Sequence, residues 1–440
     1  MLRRAFTLLA VNLVVFCVLA EVASLIVYYV ETGRVFYLQR PQYEPIPETA
    51  EGRLTADGLN PYFGPSHTRG HPFEIPPELR DAGAEAPRLA TNNFGFVSPY
   101  NFPIDRTRDD QFIIGIFGGS VGVWFCQVGA SRLLADLQQH DFFRTRRLVP
   151  LCMAHEGYKQ PQQALVLAYF LSIGQPFDLV INIDGFNEVA LSRFNNDRRL
   201  DISMPSVVHL EPLINLTDAS TLTPRKLQSL AAIGRAKERH NQLTSWLQRN
   251  RIAAIDFVLH RYRTIVLDRY NRELRTFGEL PSNPSRNSLI TAIPPTEDRQ
   301  GAMLYEDIAR NWAQASMLMG EMLAARSVPY LHFLQPNQYS TTRPFGADEA
   351  RVAIDAASPY KTSVEQGYPA LLAEARSGRL KQEGAFFDAT GIFDAERMPV
   401  YIDNCCHYTL TGYRTLADFI ARAVVNSPGP WNRSRPRSPN

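Results

Sequence analysis

Residues 111–122 read QFIIGIFGGSVG. Five apolar side chains, Phe112, Ile113, Ile114, Ile116 and Phe117, lead to Gly118-Gly119, and Ser120 follows at once. A short apolar run that stops at glycines reads as a buried strand and its turn. Val121–Leu137 then takes helical spacing, with Val128, Leu133, Leu134 and Leu137 as its apolar positions. Ser120 therefore stands at the carboxyl end of a strand, beside backbone N–H groups and a helix N-terminus. Such a place suits a nucleophile whose substrate develops negative charge. The plainer reading is a serine that caps the helix.

Beyond this stretch, strand-like and helical runs alternate. Arg147–Met153 reads as a second strand, Gln160–Gly174 as a helix and Phe177–Ile183 as a third strand, apolar apart from Asn182. Pro329–Leu334 is a fourth strand and Ala385–Asp388 a weaker fifth. This alternation predicts an α/β domain with a mostly parallel sheet covered by helices on both faces. The domain is expected over residues 111–426, with an insertion at about 190–300. The insertion holds helical segments at Pro224–Asn250 and Arg251–Arg275, then a Pro/Ser/Asn-rich stretch at Leu280–Pro295. Its frequent Arg and Lys make either a solvated face or the surface of a lid or partner site. Ile308–Ala325 is a helix whose methionines read as core filler. Residues 32–110 are rich in proline and read as a linker and an irregular collar. Residues 427–440, SPGPWNRSRPRSPN, are expected to be a disordered tail.

At 440 residues, 45% hydrophobic and 20% charged, the chain can bury one large core or two ordinary ones. A net charge of +2, with no basic stripe, gives no reason to expect nucleic acid. Ala5–Val30 is apolar except for Thr7, Asn12, Glu21 and Ser24, and Arg3-Arg4 precede it. As a helix it spans about 39 Å, enough to cross a bilayer. Residues 1–31 are thus expected to be a transmembrane anchor with a cytoplasmic N-terminus, which places the rest outside the cytoplasm. A cleaved signal peptide is the competing reading, although no A-x-A site ends the run. Glu21 either pairs within a bundle, sits near the interface or is a tolerated charge. The five cysteines, Cys17, Cys126, Cys152, Cys405 and Cys406, show no C-x-x-C pair and no zinc-like spacing. Outside the cytoplasm some of the last four can pair, in combinations the sequence leaves open.

The loops after the strands hold polar or glycine residues of chemical use. The first carries Ser120, the second Ala154-His155-Glu156-Gly157-Tyr158 and the third Asp184-Gly185-Phe186-Asn187-Glu188. Near the C-terminus stands Asp403-Asn404-Cys405-Cys406-His407, before a helix capped by Thr409 or Thr411. In an open α/β sheet the carboxyl ends of the strands line one crevice, so these loops can converge.

FGGS, a glycine in the second loop, GFNE in the third and an aspartate shortly before CHYTLTGY resemble the four blocks of the SGNH (GDSL-like) hydrolase family. The resemblance covers about Gln111–Val425. It implies a three-layer α/β/α, flavodoxin-like domain in which Ser120 is the nucleophile and His407 its general base. It further implies that Ser120 N–H, Gly157 N–H and the Asn187 amide form an oxyanion hole, and that Asp403 orients His407. The chemistry fits these roles, since a serine hydroxyl is a poor nucleophile until an imidazole takes its proton. The family usually places its aspartate three residues before the histidine. Here Asn404 holds that place and Asp403 lies one earlier. An extra loop residue then brings Asp403 to His407, or the backbone orients the histidine instead.

Gly118–Gly122 also fits G-x-S-x-G, but an α/β-hydrolase elbow needs several strands before it, and the preceding region is Pro-rich. A nucleotide-binding reading fails because neither G-K-[ST] nor G-x-G-x-x-G is present. The expected function is a serine esterase acting on an O-acyl ester, acetyl foremost, of an envelope glycan or lipid. No metal or organic cofactor is expected. An O-acyltransferase uses the same residues, and a non-catalytic, glycan-binding scaffold is the alternative that the displaced aspartate favours. Partners other than that substrate and the membrane are not implied.

Overall fold

The computed structural model of the chain describes residues 2–46, 57–81, 89–217, 223–280, 299–377, 380 and 386–432. The chain divides into two compact units. One comprises Met1–Thr55 and Ile214–Ile290, and the other Ala56–Leu213 and Thr291–Asn440.

The larger unit is built on a five-stranded sheet: β1 Gln111–Gly118, β2 Arg147–Cys152, β3 Leu179–Asp184, β4 Tyr330–Leu334 and β5 Phe386–Asp388. Its order is β2-β1-β3-β4-β5, and every pairing is parallel. Alternate residues of β1 feed opposite cores. Phe112, Ile114 and Ile116 join the cluster of helices Ala130–Leu137, Lys361–Arg376 and Leu410–Asn426. Ile113 and Phe117 pack instead with Ala164, Leu167 and Phe170 of helix Gln162–Ser172. A strand apolar on both faces requires such double cover. The strand order reverses beside β1, between β2 and β3, and that is where an open α/β sheet offers a crevice.

The helix after β1 starts at Ser120, but a wide turn at Phe125–Gly129 separates Ser120–Trp124 from Ala130–Leu137. Cys126 lies on that turn and is disulfide-bonded to Cys152 at the end of β2. Ahead of the sheet, the Pro-rich collar forms two small antiparallel pairs, Asp57–Asn60 with Gly64–His67 and Pro72–Phe73 with Leu89–Ala90. Helix Phe186–Asp197 extends the larger unit through Ala190, so the separate helical unit begins only at Ile214. The Leu280–Pro295 stretch lies, beyond Leu280, outside the described residues.

Residues 427–432 are not disordered, contrary to the composition of that segment. Pro430–Asn432 forms a helical turn, and Trp431 is 5% exposed. Its ring meets Phe112, Phe142 and Phe143 at centroid distances of 6.4, 6.3 and 5.5 Å, and its indole N–H donates to Ser427 O at 3.0 Å. One large aromatic outweighs a polar, Pro-rich neighbourhood because it buries so much apolar area. Residues 433–440 lie outside the described residues.

In the smaller unit, helix Leu2–Thr32 contains Phe6–Thr32, with mean hydropathy 2.4 and no part of that window buried. It is long and apolar enough to cross a membrane. Helices Pro224–Arg249 and Ala253–Glu279 form an antiparallel hairpin closed by Ile233, Ala236, Tyr270 and Phe277. Ile252, the residue before the second helix, supplies no capping side chain. The cap comes from Glu21, whose two carboxylate oxygens accept the Ala253 and Ala254 N–H groups, each at 2.8 Å. An anion at a helix N-terminus satisfies orphan donors and the helix dipole together. Glu21 thus pairs with a neighbouring helix rather than standing as a lone charge.

Trp431→Ala should destabilise the larger unit by about 3–5 kcal/mol, the usual cost of emptying a large aromatic site. Thermal unfolding of the full-length chain in detergent measures this, and an unchanged transition would return the segment to the disordered class.

Candidate active site

The β1 turn needs both glycines. Gly118 adopts φ +150°, and a Cβ there would lie 2.3 Å from Ile183 O on β3. A Cβ on Gly119 would lie 2.1 Å from Asn187 Nδ2. Without side chains, the turn drops Ser120 onto the first position of its helix, with Gly119 as the cap. Ser120 is thus not a capping serine. Its own N–H belongs to the orphan donors of the first turn.

The last loop delivers His407. Tyr401 and Tyr408 pair as an antiparallel bridge, and Ile402 N–H donates to His407 O at 3.1 Å. The six residues between Tyr401 and Tyr408 fold back on one carboxylate. Asp403 Oδ1 accepts the N–H groups of Cys405, Cys406 and His407 at 2.9, 3.0 and 3.2 Å. Asp403 Oδ2 stands 2.5 Å from His407 Nδ1, and His407 Nε2 stands 2.7 Å from Ser120 Oγ. Asn404 points elsewhere, its amide donating to Asp355 Oδ2 at 3.2 Å. Asp403 is therefore the acid beside the histidine despite its four-residue spacing. Thr409, not Thr411, caps the helix that follows, accepting Gly412 N–H at 3.3 Å.

Burial favours the neutral form of Asp403, but the His407 hydrogen bond and charge, with the loop N–H groups, outweigh it. The carboxyl is held below its ordinary range. It remains an anion at neutral pH, able to stabilise an imidazolium.

The second loop is pinned beside the first at two points. His155 N–H donates to Gly118 O at 3.2 Å, and Asn187 Nδ2 donates to Tyr158 O at 2.8 Å. Gly157 lies between these pins with φ +74°. A Cβ there would lie 2.3 Å from the ring of His209, so the glycine lets that imidazole close over the loop. The amide of Asn187 carries two hydrogens, and its bond to Tyr158 uses one. Ser120, Gly157, Asn187, Asp403 and His407 are thus all brought to the carboxyl ends of β1 and β3. Tyr158, Lys159 and Gln160 are each at most 1% exposed and shape the loop from inside. Tyr158 OH donates to Pro65 O at 2.8 Å.

The collar supplies residues that the sequence did not assign to the site. His67, on the collar strand Gly64–His67, donates its N–H to His155 Nε2 at 3.1 Å and sets its own Nε2 2.9 Å from Glu156 Oε2. Burial opposes the charge on Glu156, yet the His67 hydrogen bond and the two neighbouring imidazoles lower its pKa from 4.5 to about 2. His209 is likewise new to the site. Neither residue belongs to a motif, and only the folded collar and the helix Val207–Thr217 bring them here.

A second serine–histidine–aspartate set provides a contrast. Ser316 Oγ lies 2.7 Å from His332 Nδ1, and His332 Nε2 lies 2.6 Å from Asp184 Oδ1. Trp312 and Asn182 also donate to Asp184, each at 2.7 Å. Those three residues are at most 2% exposed, so the set is a core polar network. His407 and Asp403 have side chains 21% and 35% exposed, and Ser120 is also partly open. Exposure to solvent separates the two.

No protein-family model matches the chain, and no curated protein matches its sequence.

Because the Glu156 pKa is lowered on folding, the stability it contributes is complete above its ordinary 4.5 and is lost as pH falls toward about 2. Glu156→Gln should therefore lower the unfolding temperature at neutral pH. The gap to the wild type should close across that acid window, and a gap independent of pH would contradict the assignment.

Proposed function

We propose that the chain is a membrane-anchored serine ester hydrolase of the SGNH type that acts outside the cytoplasm on an O-acyl ester of an envelope glycan or lipid. The observation that carries this reading is the continuous relay from Ser120 Oγ through His407 to Asp403, open to solvent at the carboxyl end of β1. His407 Nε2 accepts the Ser120 proton as Oγ attacks the acyl carbonyl, and Asp403 stabilises the imidazolium. The oxyanion of the tetrahedral intermediate is met by Ser120 N–H, Gly157 N–H and the remaining Asn187 hydrogen. His407 then protonates the departing alkoxide, and water repeats the cycle on the acyl-serine.

The strand order β2-β1-β3-β4-β5, with helical cores on both faces, fits the flavodoxin-like domain of that family. A non-catalytic scaffold drew its support from the displaced aspartate, and Asp403 nevertheless reaches His407. The retained anchor is supported by Glu21, since cleavage after the apolar run would uncap the Ala253 helix. Arg3-Arg4 ahead of the span favours a cytoplasmic N-terminus. The Cys126–Cys152 bond fits an oxidising compartment.

Full-length protein in detergent should take a serine-directed fluorophosphonate on Ser120, located by mass spectrometry. Ser120→Ala and His407→Ala should take none. Asp403→Asn should slow hydrolysis of a short acyl ester by about 10⁴-fold, whereas Asn404→Asp should stay close to the wild type. Asn187→Ala should lower kcat by roughly 10²–10³. A folded wild type without label would sink the esterase reading.

A further inference from the structure

Two thiols sit inside the loop that holds the relay. Cys405 and Cys406 are adjacent, both are reduced, and their sulfurs stand 3.1 Å apart. Cys405 is partly exposed and Cys406 is 1% exposed. The peptide that joins them is tied on both edges. Its N–H, from Cys406, donates to Asp403 Oδ1 at 3.0 Å, and its carbonyl, from Cys405, accepts the Asn337 amide at 2.9 Å.

We propose that Cys405 and Cys406 form a thiol–disulfide exchange site whose oxidation switches off the relay; this rests on the esterase reading. The oxidant is a disulfide, either on a protein or formed from two small thiols. The Cys405 thiolate attacks one sulfur of that disulfide and expels the other as a thiolate. The Cys406 thiolate then attacks Cys405 Sγ, forming the bond between the neighbouring cysteines and expelling the second thiolate. The chain loses two protons and two electrons, and the oxidant becomes two thiols.

Geometry gives this pair its character. Adjacent Cα atoms are about 3.8 Å apart, closer than the ~4.4–6.8 Å that disulfides usually span. A bond closed there is strained, and strained disulfides are the readily reduced, regulatory kind. Drawing the sulfurs to about 2.05 Å makes a small ring through the Cys405–Cys406 peptide. That peptide is planar, so turning it swings its N–H away from Asp403 and its carbonyl away from Asn337 together. Asp403 then loses part of the grip that aims its other oxygen at His407, so the reactivity of Ser120 falls. Burial raises the Cys406 thiol well above its ordinary pKa, which suits it to resolve rather than to begin the exchange.

The test uses full-length protein in detergent, equilibrated in glutathione buffers of increasing oxidised fraction. A chelator is present throughout, because the donor atoms of Cys405, Cys406 and His407 lie within 4.8 Å and would otherwise invite a thiophilic metal. Mass spectrometry reads the peptide carrying Cys405 and Cys406, and fluorophosphonate labelling reads Ser120. The expected result is loss of two hydrogens from that peptide without a glutathione adduct, with labelling slowed about tenfold and restored by reduction. Cys405→Ser should no longer respond to the buffer and Cys406→Ser should stop at a glutathione adduct on Cys405, which separates this pair from Cys126–Cys152. Thiols that stay free to alkylation across the whole range overturn the proposal, and so does a ring that leaves the labelling rate unchanged. A reduced wild type that takes no label overturns the esterase reading and the switch with it, while the peptide mass still reports whether the ring forms.

Discussion

One carboxylate holds the site together. Asp403 gives one oxygen to three successive backbone N–H groups and the other to the His407 ring. The first set of bonds folds the loop back on itself, and the last sets the direction of the imidazole. The loop is closed at its base by the Tyr401–Tyr408 bridge, so the extra residue is absorbed within it. Sequence spacing therefore carries less information here than it would in a helix, where each residue advances the side chain by a fixed rotation. What must be kept is the distance between an acid and a ring, and a tight loop can meet it with either count.

The rest of the larger unit serves to bring a fixed hydroxyl to that ring. β1 lies between two strands and beneath two cores, so the end of the strand has little freedom. The glycines let β3 and the Asn187 amide approach closer than any side chain would allow. The Ser316–His332–Asp184 network has the same residue types at similar distances but no opening to solvent. Its members are sealed by Trp312 and the sheet, and its hydrogen bonds are spent on holding the core in one arrangement.

Much of this was legible in the sequence, for local reasons. An apolar run ended by Gly118-Gly119 is a strand and turn whatever surrounds it, and the other strands have the same kind of edge. Ser120, Gly157, Asn187 and His407 each follow a strand or precede a helix, which makes them visible as loop-end residues. The choice between Asp403 and Asn404 was not legible, because it depends on how one loop closes. The collar histidine His67, His209 and the Cys126–Cys152 pair were hidden for a related reason. Each joins segments far apart in the chain, and no local pattern marks the partner. Trp431 misled in the opposite direction, since a single buried ring countermands the composition of its neighbours.

Glu21 alters what the first helix is. A helix long and apolar enough to cross a membrane needs no particular side chain for that, and could be exchanged for any other of its kind. This one donates a carboxylate to the start of the Ala253 helix, so it is also a structural member of the hairpin unit. A truncation that begins after this helix is then not the same protein without a detachable segment. It leaves two backbone N–H groups uncapped and bares the side of the Ala253 helix on which the span rests.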